Sequence, residues 1–248
     1  MDASDLLIAA GGSFVAALLG SAVGLVLGSL RLPAILLASG NPAAAAGSNI
    51  AVSAVSALVG GVTHARAGRV DWRIVAWMAP TSVVAAFVGG LFGGEVAEGA
   101  LLALIAVVLL YSGLDLLLGL RPGPEKPGDP RAVAAISGGI IGLIGGAVGL
   151  ILGTLRLPAL LKGVGLTPHR AVGTNLVVGF FVGASGFLGH LVRGEVEWAI
   201  LGVSVAAAIP GAWLGARLTG RLSERALRRA IGIALVVVAG AIALAAVQ

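Results

Sequence analysis

The 248-residue chain has no cysteine, so it can form neither a disulfide nor a thiolate metal site. Charge is also scarce. Asp, Glu, Lys and Arg together make up 11% of the residues, where a soluble domain carries about a quarter. No Asp or Glu falls at the middle of an apolar run. The nearest, Asp115, lies about one turn from a run's end and is expected at the interface. A carboxylate proton relay is therefore unsupported. No Gly-x-x-x-x-Gly-Lys-[Ser/Thr] phosphate loop exists, which removes ATP as a drive from this chain. No metal-ligand cluster and no nucleophile triad can be assembled. An enzyme is accordingly not expected; no catalytic residue, metal ligand or cofactor is assigned.

What the chain does have is apolar length. Hydrophobic residues make up 58% and the mean hydropathy is +1.06. Apolar runs cover roughly 43–63, 74–92, 99–118, 171–192, 198–216 and 227–247, each near the ~20 residues needed to cross a bilayer. The 40 glycines fit the same setting, because small residues let transmembrane helices approach closely. The expected fold is all-α: a polytopic transmembrane protein in a cell membrane, the bacterial inner membrane being the natural choice. The net charge of +5 is read as cytoplasmic loop charge rather than a nucleic-acid surface, since no basic domain lies outside the spans. The opening segment carries Asp2 and Asp5 and no basic residue, so a secretory signal is not expected.

A fifteen-residue stretch occurs twice. Residues 22–36 read AVGLVLGSLRLPAIL and residues 147–161 read AVGLILGTLRLPALL. Further matches follow in order: Gly47-Ser48-Asn49 with Gly173-Thr174-Asn175, His64 with His190, and Gly68 to Trp72 with Gly194 to Trp198. Two homologous halves are expected, 1–120 and 132–248, joined by a linker at 121–131 whose prolines cannot continue a helix. Together they form one membrane domain.

Charge counting bears on topology. If each half has four plain spans, the sixteen basic residues divide almost evenly between the two sides. If residues 5–41 and 132–167 instead enter the bilayer and return, each half has an odd number of spans and the copies are inverted. Arg66, Arg69, Arg73, Arg121, Lys126, Arg131, Lys162, Arg170, Arg217, Arg221, Arg225, Arg228 and Arg229 then share one side, and only Arg193 takes the other. The positive-inside rule favours that arrangement, with re-entrant or broken first helices turning near Gly20-Ser21 and Gly145-Gly146 and both termini outside. Trp72 and Trp198 are expected in the aromatic belt.

Arg31 and Arg156 are the duplicated charges within the bilayer. An intramembrane charge is costly and marks a pathway or site. Pro33 and Pro158 forbid a regular helix before them and suit the first position of a new one. A helix start offers free N–H groups to an anion, and a guanidinium adds a planar donor fork matched to oxyanions. Ser29 or Thr154 can donate one further bond. Ser48, Asn49, Thr174 and Asn175 lie one to two turns into the next helix. There an Asn can bond a ligand or a neighbouring helix, and the residues leave both roles open. They also leave open the plainer reading of Arg31 as a cytoplasmic loop anchor. His64 and His190 occupy matched helix ends, where interface placement is expected.

The glycine-rich runs ending at Pro33 and Pro158, the Ala-x-Gly-[Ser/Thr]-Asn segments at 45–49 and 171–175, and the two Gly-x-Val-[Asp/Glu]-Trp segments carry a resemblance. The chain resembles the sulfite exporter TauE/SafE family of membrane permeases over nearly its whole length. That resemblance does not extend to the arginine of Leu-Arg-Leu-Pro, which is read from the residues alone. The resemblance implies transport, commonly export, of a small sulfur-containing anion such as sulfite or an organosulfonate. The expected partners are that anion and membrane lipid; a homodimer is left open. An importer or uniporter on the same scaffold, or a membrane assembly protein without transport, are the alternatives.

Overall fold

A computed structural model of the chain describes residues 3–25, 27–92, 98–119, 129–148 and 152–245. They form α1 (Ala3–Val23), α2 (Gly28–Ser39), α3 (Pro42–Arg66), α4 (Trp72–Phe92) and α5 (Glu98–Leu118) in the first half. In the second half they form α6 (Pro130–Val148), α7 (Gly153–Pro158, continued by a π-helical turn at Ala159–Gly163), α8 (Pro168–Val192), α9 (Trp198–Thr219) and α10 (Glu224–Ala245). No strand occurs among the described residues. Six helices are long and apolar enough to cross a membrane: α1, α3, α4, α8, α9 and α10. Large apolar side chains point outward along them, as lipid-facing helices require: Leu7, Phe87, Val192 and Leu244 are all exposed.

The first helix of each half is broken, though not where the sequence suggests. α1 runs straight through Gly20-Ser21 to Val23, and α6 runs through Gly145-Gly146 to Val148. An interior glycine costs a helix only ~1 kcal/mol, too little to end it. What ends α1 is Gly24, whose φ of 75° lies in the left-handed region. The chain then doubles back. A Cβ on Gly12 would meet the Ala34 Cβ at 3.0 Å, and one on Gly20 would meet the Leu25 carbonyl oxygen at 2.5 Å. α2 has 12 residues, and α7 with its π turn has 6 and 5. At 1.5 Å per residue these arms reach roughly 16–18 Å, about half the ~30 Å hydrocarbon core. The arms are therefore unequal: a long outgoing helix and a short return.

The prolines also differ from expectation. α2 starts at Gly28 and α7 at Gly153, so Pro33 lies inside its helix and Pro158 closes its own. Neither holds the first helical position. The break falls instead on Leu27 and Leu152, with φ/ψ of −80°/41° and −79°/49°. The two copies keep the same backbone at the break. The missing proline N–H is absorbed downstream in the second half, where the Val164 N–H reaches back to the Ala159 carbonyl, the spacing of a π turn.

The halves interlock. α1 packs on α9 and α4 on α6, so the first helix of each half lies against the fourth helix of the other. α3 packs on α8 and α5 on α10. The α1–α9 pair runs parallel: Gly211 faces Phe14, Gly215 faces Leu18, and the Thr219 hydroxyl donates to the Ala22 carbonyl at 2.7 Å. The α3–α8 pair runs antiparallel. Gly47 lies against His190, Gly61 against Val177, and Gly173 against His64.

Gly24 is the test of this arrangement. A Cβ there would lie 2.6 Å from the Val172 Cα of the other half. Gly24→Ala should cost ~1–2 kcal/mol from the left-handed backbone alone, and more from the clash. Gly11 has nothing within 4 Å of its Cβ position, so Gly11→Ala should be neutral or gain up to about 1 kcal/mol. Thermal unfolding of the purified variants in detergent should show a marked fall in apparent Tm for the first and none for the second.

Candidate functional site

Asn41 caps α3 by accepting N–H bonds from Ala43 and Ala44, and Pro42 follows at the first helical position, where its missing N–H costs nothing. α8 likewise starts on Pro168. Each helix then carries Gly-[Ser/Thr]-Asn, and each of the three residues has a separate contact. The glycine admits a loop from the other half. The Glu195 carbonyl oxygen lies where a Gly47 side chain would be, and the Arg69 carbonyl oxygen where a Gly173 side chain would be. The hydroxyl ties the same loop: Ser48 Oγ accepts the Glu197 N–H at 3.0 Å, and Thr174 Oγ1 accepts the Asp71 N–H at 2.9 Å. Those loops are the Gly-x-Val-[Asp/Glu]-Trp segments. Their glycines, Gly68 and Gly194, turn the chain at φ 68° and 69°. Two of the repeated segments are thus a lock and its key, exchanged between halves.

The third residue, the asparagine, faces the helix break. Asn49 Nδ2 donates to the Gly28 carbonyl at 3.0 Å. Asn175 Nδ2 donates to the Gly153 carbonyl at 2.8 Å and to the Gly24 carbonyl of the other half at 2.7 Å. Each asparagine oxygen accepts the Nε–H of the arginine on the facing short helix, Arg31 to Asn49 at 2.9 Å and Arg156 to Asn175 at 3.1 Å. The two arginines hold the same place, fourth in α2 and fourth in α7. Asn49 sits about 10 Å along a helix of roughly 37 Å, and Asn175 likewise on α8. Because α3 and α8 are antiparallel, the two clusters approach the midpoint from opposite ends.

Both guanidiniums are buried, Arg31 at 2% exposure and Arg156 at 1%. Neither forms a salt bridge among the described residues, whose ion pairs are Lys162–Asp115, Arg170–Asp71 and His190–Glu195. Beyond the shared Nε bond their surroundings diverge. Arg31 Nη2 donates to the Asn49 carbonyl at 2.8 Å and to Ser53 Oγ at 2.6 Å. Arg156 Nη2 has no hydrogen-bond partner among the described residues. Beside Arg31, Ser21, Ser53, Ser56, Ala57 and Leu176 help line a cavity of about 10 Å³, the space of one water molecule. Thr154 is buried in the first turn of α7. The side chain of Ser29 lies outside the described residues.

Other expectations change. His64 is fully buried within the protein, donating from Nε2 to the Ser21 carbonyl at 3.4 Å. His190 donates to Glu195 at 2.7 Å. Asp115 is buried at 3% and pairs with Lys162. Trp72 and Trp198 are exposed at the first residues of α4 and α9. Sequence reasoning misses Ser53, although it lies four residues after Asn49 and so on the same helix face. It also counts Lys162 only as loop charge, and nothing local to that residue announces Asp115.

Residues 8–242 match the family described as Sulfite exporter TauE/SafE. Among curated proteins, the chain is 25% identical over 197 residues to a "Probable membrane transporter protein" of Haemophilus influenzae, covering 76% of this chain and 73% of that one. It is 29% identical over 194 residues to the "Probable membrane transporter protein YtnM" of Bacillus subtilis, covering 73% of this chain and 65% of that one. A third relative, "Probable membrane transporter protein YunE" of Bacillus subtilis, is 23% identical over 226 residues, 80% of this chain and 81% of its own length. No solved structure matches.

The asparagine contacts predict an effect on stability. Asn175→Ala strips partners from two buried carbonyls and the Arg156 Nε–H at once, and each unpartnered buried group costs about 1–3 kcal/mol. Asn41→Ala removes only an exposed cap, worth about 1 kcal/mol. Thermal unfolding in detergent should show the larger drop in Tm for Asn175→Ala.

Proposed function

We propose that this chain, which belongs to the sulfite exporter TauE/SafE family, is a permease for a small sulfur oxyanion held between the two arginine-bearing return arms. The observation that carries the reading is a pair of fully buried guanidiniums without a carboxylate partner among the described residues, one of them with an idle donor. A buried charge costs several kcal/mol unless it is compensated. A doubly or singly charged oxyanion supplies the missing charge, and its oxygens match the guanidinium fork. The family's name supports sulfite or an organosulfonate as that anion. The cavity at Arg31 has the space of about one water molecule, so a return arm must move for an oxyanion to bind there.

The site so proposed consists of Arg31 and Arg156 with Asn49 and Asn175 behind them. Ser48 and Thr174 act at a distance, by holding loops. Thr154 stands ready at the start of α7. The helix-start contribution moves from the prolines to the turns that begin at Gly28 and Gly153.

The proposed orientation has the copies inverted across the bilayer and both termini outside. Antiparallel packing of the equivalent helices α3 and α8 supports it, as does the crowding of basic residues on one face. Export is the favoured direction. With the inside negative, an anion gains about 2.3 kcal/mol per charge per 100 mV on leaving.

Two experiments decide. In proteoliposomes loaded with sulfite, the wild-type protein should release the anion, and the double variant Arg31→Gln/Arg156→Gln should fall to the protein-free rate while still inserting. Normal release by the double variant would remove the arginines from the reading, and counterflow with and without a pH gradient separates export from a uniport or import cycle. Orientation can be read with single cysteines, which have no background here. Cysteines replacing the exposed Asn41 and Arg193 should react with an impermeant thiol reagent on intact cells, and those replacing Ala67 and Ser223 should not. Labelling of all four, or of the second pair only, would rule out the inverted orientation.

A further inference from the structure

The two arginine clusters are copies, but they are not equivalent. α3 and α8 have equal length and start on matched prolines. Laid over one another, they pair Gly47 with Gly173, Asn49 with Asn175 and His64 with His190. Ser53, which accepts a bond from Arg31 at 2.6 Å, then falls on Gly179. Ala57, which lines the small cavity beside Arg31, falls on Gly183. Both glycines are buried.

The consequences follow from the helix geometry. Position 179 is one turn beyond Asn175, just as Ser53 is one turn beyond Asn49, so both lie on the face that meets the arginine. The first bond of each cluster is kept in both copies, Nε–H to the asparagine oxygen. The second is not. In the first half the Asn49 carbonyl and the Ser53 hydroxyl both accept from Nη2. In the second half no hydroxyl exists, and Arg156 Nη2 is left without a partner among the described residues at 1% exposure. A buried charged donor without a partner calls for a ligand that brings its own acceptor. Arg31, by contrast, already spends its Nε–H and Nη2–H on protein acceptors.

We infer that the oxyanion binds directly to Arg156, on the α8 face that carries Asn175 and Gly179, while Arg31 is a structural pin of the first return arm. This rests on the oxyanion-permease reading above and narrows its anion contact from both arginines to Arg156 alone. The second half carries the exchangeable contact. The first half keeps its arginine because α2 needs an anchor on α3.

The test swaps the distinguishing residues in the full-length protein, with sulfite as the probe. Gly179→Ser supplies a hydroxyl one turn beyond Asn175, where it competes with the anion for Arg156; Ser53→Gly removes the hydroxyl from the first half. By isothermal titration, Gly179→Ser should weaken sulfite binding by about tenfold or more, the loss of one charge-assisted contact. Ser53→Gly should leave affinity essentially unchanged but lower the apparent Tm. If Gly179→Ser does not fold, the two arginine variants separate the same roles. Arg156→Gln should abolish the rise in Tm caused by sulfite, and Arg31→Gln should lower the basal Tm further while keeping that rise. Equal loss of binding in Ser53→Gly and Gly179→Ser, or loss of the sulfite response in Arg31→Gln alone, would overturn the asymmetry and leave the oxyanion reading standing. A wild-type protein without any response to sulfite would overturn both.

Discussion

Asn175 carries three bonds on which the centre of this protein depends. One N–H goes to the Gly153 carbonyl of its own half, one to the Gly24 carbonyl of the other half, and its oxygen accepts from Arg156. The need for such a residue comes from the bilayer. Where a helix is broken in hydrocarbon there is no water to satisfy the freed backbone groups, so protein must do it. Two broken helices meet here, and one side chain serves both. The arginine belongs to the same network, through the bond from its Nε–H to the asparagine oxygen. Structure and candidate site are therefore one network, and displacing a return arm must break bonds to an asparagine.

The halves depend on one another. The loop after α3 rests on Gly173 and Thr174, and the loop after α8 rests on Gly47 and Ser48. α1 is covered by α9 and α6 by α4. Neither half buries its own first helix. Each return arm lies against the long helix of its own half, α2 on α3 and α7 on α8, and α3 packs on α8. Small residues make that crossing close: Gly60 and Gly61 face Leu176 and Val177. Beside the asparagines the copies have diverged, with Ser53 in the first half and Gly179 in the second.

Much of this is legible in the residues, and the failures have identifiable causes. Arg31, Asn49, Arg156 and Asn175 announce themselves as polar groups duplicated in apolar sequence, and the structure brings each arginine to its asparagine. The position of the break is easily misread because proline is a louder signal than glycine. Pro33 can sit inside α2, since only one carbonyl is freed, whereas Gly24 alone can take the left-handed turn against Val172. Ser48 and Thr174 look like ligand groups because they neighbour the asparagines. On a helix, neighbours in sequence point about 100° apart, and their hydroxyls face the opposite loop instead. Asp115 and Lys162 carry no local sign that they meet, because 47 residues separate them.

By itself the sequence determined the solvent this protein lives in, the duplication of its halves, the family to which it belongs and the charges that must be accommodated at depth. Those are consequences of composition and of repeated local patterns, and no partner is needed to read them. Tertiary structure decided which charge is satisfied and which is left idle. Arg31 and Arg156 lie in nearly identical strings of residues, yet Ser53 on another helix accepts from Arg31 while Arg156 Nη2 has no acceptor among the described residues. A hydrogen bond depends on what lies opposite, and what lies opposite is set by the packing of α2 on α3 and of α7 on α8.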